Sequence, residues 1–188
     1  MADPPLRALN LPAALRLDIG LPSSVDLLHQ HDLDNYLFPL VSHLGSNRFA
    51  SAWATKATGP TSSIPIEAAK GVRPDGMGLM YRVVTHGSAE KAAWKREIRD
   101  QIAAAEPLRD GAVERQLAFA VGASRNWANL WKAAIDSLDP ILGRERPDRE
   151  WNPRDGRVTR LGLHREVKPA LGYDVEIAIA ARALGPAT

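Results

Sequence analysis

The stretch HQHDLDNYLFPLVSHLG, residues 29–45, decides how the rest of the chain is read. Its second part is helical: Leu37, Leu40, Val41 and Leu44 follow i, i+3, i+4, i+7 spacing, and Gly45 stops the run. Asp34 or Asn35 stands where an N-cap belongs, and Pro39 is tolerated only close to the helix start. The first part crowds four potential ligands, His29, His31, Asp32 and Asp34, into six residues. A cap needs one side chain and not two, so the aspartate pair also reads as hard oxygen donors for Mg2+ or Mn2+. His29 and His31 would suit a borderline ion such as zinc, or are simply solvated loop residues.

Working outward, LRLDIGL (15–21) alternates apolar and polar residues as a half-buried strand does. RFASAWATKA and SSIPIEAAK read as two strands joined by a TGPT turn, and turn-rich GVRPDGMG (71–78) as a boundary. LMYRVV is a short strand. SAEKAAWKREIRDQIAAA is a helix capped by Ser88, with Trp94, Ile98 and Ile102 on one stripe and Pro107 closing it. RQLAFAVG is a strand, and NWANLWKAAIDSLDPILG a helix with Trp127, Leu130, Trp131, Ala134 and Leu138 on one face. After an Arg-rich loop, GRVTRLGLHRE and YDVEIAIAARAL follow as strands.

The order strand, helix, strand, strand occurs twice. Asn35 falls opposite Asn129, Leu44 opposite Leu138, Lys56 opposite Arg165 and Ile66 opposite Ile179. The expectation is an α+β protein of two β-α-β-β pseudo-repeats, each a small mixed sheet with a packed helix. Residues 1–14 are a Pro-rich lead-in, 15–78 a first, shorter repeat and 79–188 a second, fuller one.

Composition narrows the function. The 188 residues carry a formal charge of only +2, and the surplus lies wholly in the second half. Residues 144–168 hold eight basic and five acidic side chains, a strip suited to phosphate contact or a solvated mixed-charge loop. The absence of cysteine excludes disulfides, thiolate nucleophiles and sulfur-ligated zinc, and fits a reducing cytoplasm. No apolar run approaches a membrane span, and the N-terminus lacks the unbroken apolar core of a signal peptide. Phosphate-binding glycine loops and serine-nucleophile elbows are missing from the sequence.

Asp32-Leu33-Asp34-Asn35 matches the start of a D-x-D-N-L-x-K-x-x-x-D-x-L pattern, and Asn129-Leu130-Trp131-Lys132 with Asp136 and Leu138 matches its remainder. Asp155, running into Val158 and Leu161, matches a later acid before a strand. In these residues the chain resembles the RusA-like Holliday-junction resolvases, small metal-dependent endonucleases. The resemblance implies Mg2+- or Mn2+-dependent cutting of branched or structured DNA, by a homodimer or with a partner chain. Each repeat departs from the pattern: Phe38 and Ser42 replace the Lys and second acid in the first, Asn126 and Ala128 the paired acids in the second. Either the halves complete one composite site, or both are degenerate and the protein binds nucleic acid or a protein partner without cutting.

For a composite site, Asp32, Asp34 and Asp155 are the candidate metal ligands and catalytic acids. Lys132 would offset charge building on the phosphate. Arg125, Arg157 and Lys168 are candidate phosphate contacts, and Trp151, beside Arg149 and Arg154, a base-stacking residue. Each has a plainer alternative: Asp34 as a cap, Asp155 as a turn residue in PRDG, Lys132 snorkelling at a helix edge.

Overall fold

The structure is a computed structural model that describes residues 12–71 and 79–185. The expected boundary at 71–78 therefore lies, Gly71 apart, outside the described residues, as does the lead-in up to residue 11. Among the described residues there are seven strands, β1 (Ala13–Leu21), β2 (Phe49–Thr58), β3 (Ile66–Ala68), β4 (Leu79–Thr85), β5 (Val113–Val121), β6 (Val158–Val167) and β7 (Val175–Ala183). Four α-helices accompany them there: α1 (Leu33–Leu44), α2 (Ala92–Gln101), α3 (Trp131–Asp136) and α4 (Asp139–Leu142).

The chain is α+β, as expected, but its strands form one mixed sheet in the order β3-β1-β2-β6-β5-β7-β4. β1 and β2 run parallel, joined through α1, and β5 and β6 run parallel, joined through α3 and α4; parallel neighbours require such crossovers. β3 adds antiparallel to β1, and β7 antiparallel to β5. At the centre β2 pairs antiparallel with β6, Ser51 opposite His164 through Thr55 opposite Arg160. Separate small sheets would have left β2 and β6 as exposed edges; pairing them satisfies both rows of backbone groups.

Register sorts the residues into two faces. Leu15, Ala52, Leu163, Leu117 and Ile179 form one row on the face that buries the core. Against it pack Leu33, Leu37 and Val41 of α1, Trp94 and Ile98 of α2, and Trp127 and Trp131 in front of β5. The next row, Arg16, Trp53, Gly162 and Gln116, lies on the other face. There the Trp53 indole lies so close to Gly162 that a Cβ would sit 2.8 Å from the ring, which explains the glycine.

Several elements differ from the sequence expectation for local reasons. α1 begins at Leu33 rather than after Asp34 or Asn35, because Leu33 is itself buried and extends the apolar stripe backward. Pro39 thus falls in the second turn, where it leaves the Asn35 carbonyl without its helical donor. The helix expected over 88–105 is regular only from Ala92 to Gln101; Lys91 holds the cap position, and Ser88 organises the preceding turn by accepting from the Glu90 and Lys91 amides. The helix expected over 126–143 is broken into a 3-10 turn (Trp127–Leu130), α3 and α4, with Pro140 entering at the start of α4. Pro65 confines the expected strand over 62–70 to Ile66–Ala68. No helix among the described residues is long and apolar enough to cross a membrane.

Candidate active site

The acidic residues gather at the end of the sheet where β1 and β2 finish and β6 begins. Asp32 occupies the N-cap position of α1, yet its side chain makes no capping bond to the backbone; Oδ2 instead accepts from the Asn35 side-chain amide at 3.3 Å. Asp34 is one residue inside the helix with a side chain only 5% exposed, so it is not a cap either. Asp155 opens a 3-10 turn (Asp155–Arg157) directly before β6.

Lys132 on α3 reaches into this group. Its Nζ lies 3.8 Å from Asp34 Oδ2, 3.8 Å from Asp155 Oδ2 and 3.2 Å from Asp136 Oδ1, one turn further along its own helix. Lys95 of α2 closes the far side of Asp136 at 2.7 Å. The fold thus brings Asp32, Asp34, Asp155 and Lys132 together from opposite halves of the chain. As arranged, the carboxylates surround the Lys132 ammonium. Among the described residues, no three His, Asp or Glu side chains converge at metal-ligand spacing.

Two buried cations that the sequence did not single out stand beside the group, and one of them ties it together. Lys56 is 3% exposed and donates to three carbonyls, Gln30 at 2.7 Å, His31 at 3.1 Å and Gly156 at 2.6 Å. It thereby ties the loop leading to Asp32 to the turn that carries Asp155. Burial lowers its pKa, and the Asp32, Asp155 and Asp26 charges offset part of that. The turn packs closely: a Cβ at Gly156 would lie 3.0 Å from the His29 carbonyl carbon. Arg115 on β5 is 1% exposed, and its Nε and Nη1 have no hydrogen-bond partner. Burial lowers its pKa, and the charges of Asp34, Asp155, Asp32 and Asp136 counter that. Both were legible in principle. Lys56 is in phase with buried Ala52 and Ala54, and Arg115 with Val113, Leu117 and Phe119, so each is a charge on a core-facing row.

Electrostatics single out Asp155. Burial, and next the charge of Asp32, push its carboxyl up to about 6, against the opposing pull of Arg115 and Lys132. Burial tends to lower the Lys132 pKa, but Asp34, Asp136 and Asp155 outweigh it and raise the group overall.

The remaining nominees are dispersed. Trp151, with a left-handed backbone (φ 58°), lies against Arg99 and Lys95, whose charged groups are 5.4 and 5.7 Å from its ring centre. Through Lys95 it borders Asp136. Arg157 is not the solvent-facing phosphate contact expected of it. Its side chain is 3% exposed and donates to the carbonyls of Gly111, Leu108, Leu142 and Arg109, stapling loops together. Arg125 and Lys168 follow the far ends of β5 and β6, about 30 Å of strand away from the acids. There Arg125 donates to the Gly87 carbonyl and stacks on Tyr173, and Lys168 pairs with Glu176 at 2.9 Å. His29 bonds Asp26 at 2.9 Å and His31 meets the Tyr36 hydroxyl at 2.5 Å, so neither imidazole joins the acidic group.

No protein-family model matches the chain, and no curated protein matches it.

Proposed function

We propose that this protein is a Mg2+- or Mn2+-dependent endonuclease acting on branched or otherwise structured DNA. The observation that carries the reading is the meeting of Asp32 and Asp34 from one half with Asp155 and Lys132 from the other. The donors suit such an ion in kind: all three acids offer hard carboxylate oxygens, two of them largely buried, though Asp34 and Asp155 stand about the Lys132 ammonium and the three are not at metal-ligand spacing. Asp32, Asp34 and Asp155 would hold the ion, which supplies Lewis-acid polarisation of a phosphate and an activated water. Lys132, half in solvent, is placed to follow the phosphate, and Trp151 offers an aromatic face at the margin of the site for an unpaired base. Hydrolysis adds a water oxygen to phosphorus as one ester P–O bond breaks, with the proton ending on the departing oxygen.

The test is cleavage of a four-way junction and a matched linear duplex with Mg2+ or Mn2+, beside an Asp32→Asn/Asp34→Asn variant. The reading expects junction-selective cutting abolished in the variant. A second reading, a silent descendant that binds DNA without cutting, draws on the charge balance: Lys56, Lys95, Arg115 and Lys132 already face Asp32, Asp34, Asp136 and Asp155. It expects junction binding in both proteins and cleavage in neither.

A further inference from the structure

The two ends of the sheet are built alike. β1 pairs with β2 from Ala13 opposite Phe49, β5 with β6 from Val113 opposite Val158, and each pairing shifts register directly after that first pair. A three-residue 3-10 turn precedes both second strands, Ser46–Arg48 before β2 and Asp155–Arg157 before β6. Lys56 donates to the carbonyl of Gly156, the middle residue of one turn; Arg165, which takes the place of Lys56 on β6, donates to the carbonyl of Asn47, the middle residue of the other, at 2.8 Å. Asp32 and Asn126 hold the cap positions of the two crossovers.

Superposing one end on the other in this way sets Ser46 where Asp155 stands, Asn126 and Ala128 where Asp32 and Asp34 stand, and Phe38 and Ser42 where Lys132 and Asp136 stand. These five charged residues have neutral counterparts at the other end, whereas Lys56 is matched by another cation, Arg165. The neutral set is also packed as a finished structure. Ser46 donates to Asn126 Oδ1 at 2.9 Å, Asn126 accepts from the Ala128 amide, and Phe38 meets Trp131 edge to face at 6.4 Å.

We propose that the far end is a neutralised copy of the acidic site, so that one chain binds a single catalytic divalent ion and hydrolyses one phosphodiester per encounter: a nicking enzyme with an internal two-fold frame. The proposal rests on the endonuclease reading for the strand outcome, but its structural part is separable.

Calorimetry with Mn2+ separates the two. The wild type is expected to bind one ion per chain, and a Ser46→Asp/Asn126→Asp variant, or the fuller set with Ala128→Asp and Phe38→Lys, two. The smaller variant spares the buried Ala128, and circular dichroism checks that each variant keeps its fold. One ion in the wild type and still one in both variants, with unchanged circular dichroism, overturns the neutralised copy while leaving the endonuclease reading intact. An ion bound only by the variants supports the copy and overturns the reading. On a supercoiled plasmid extruding a cruciform, with the protein monomeric by sedimentation, the expected product is nicked circle; linear product from a single encounter overturns the one-strand claim.

Discussion

Asp155 is held in a state that folding itself disfavours at neutral pH. Its carboxyl is raised from 3.8 to about 6 by burial and by Asp32, with Asp34 adding to the effect and Arg115 and Lys132 opposing it. A carboxyl whose folded pKa lies above its unfolded one binds more protons when folded, so stability falls as pH rises from about 4 to about 6 and is level above that. Asp155→Asn should therefore be more stable than wild type above pH 6, by about 1–3 kcal/mol, and nearly equal at pH 4, as denaturant titrations across that range will show. Buried His164 has the opposite slope: its pKa is pushed down to about 4, so its contribution is complete above pH 6.5 and lost as pH falls toward 4. The two titrations oppose each other in the wild type, and the Asn variant should expose the His164 loss in acid. Lys132 yields a second prediction. Its ammonium stands among the carboxylates that an ion would need, so Lys132→Gln should bind Mn2+ roughly tenfold more tightly while cutting more slowly. At this scale the sequence exposed the acids, because paired aspartates at a helix start are conspicuous. Lys56 and Arg115 were less conspicuous, because their burial follows from strand phase and not from residue type.

The helix starts distinguish a cap from a site. Asp32 holds the cap position of α1 but gives its backbone no side-chain bond, whereas Asn126 accepts from the Ala128 amide and from Ser46. Asn126→Ala should cost about 1 kcal/mol or more and Asp32→Ala under about 0.5 kcal/mol, measured by chemical denaturation in metal-free buffer. Equal costs would return Asp32 to the role of a cap. Strands were legible here because alternation at Leu15–Leu21 reports directly on one buried face. Helix ends were less so. Leu33 lengthened α1 through tertiary burial that no local signal announces, and Pro140 divided a run whose apolar spacing looked continuous.

The molecule as a whole turns on the β2–β6 pairing, which the separate β-α-β-β units could not reveal, since a strand's lateral partner is a long-range choice. Trp127 strengthens the union by donating from its indole to the Ser46 carbonyl at 3.0 Å across the two halves. One cooperative transition is expected, with Trp53 reporting on the first half and Trp94 and Trp127 on the second; residues 1–78 alone should not fold. Non-coincident transitions from single-tryptophan variants would mean that the halves are independent domains. Whether Asp34 and Asp155 act as one site is decided by a thermodynamic cycle. Mn2+ affinity is measured for wild type, Asp34→Asn, Asp155→Asn and the double variant. Each single substitution is expected to weaken binding at least about tenfold, and the second to cost little once the first is made. Asp155→Asn binding as tightly as wild type, or fully additive losses, would contradict a single shared site.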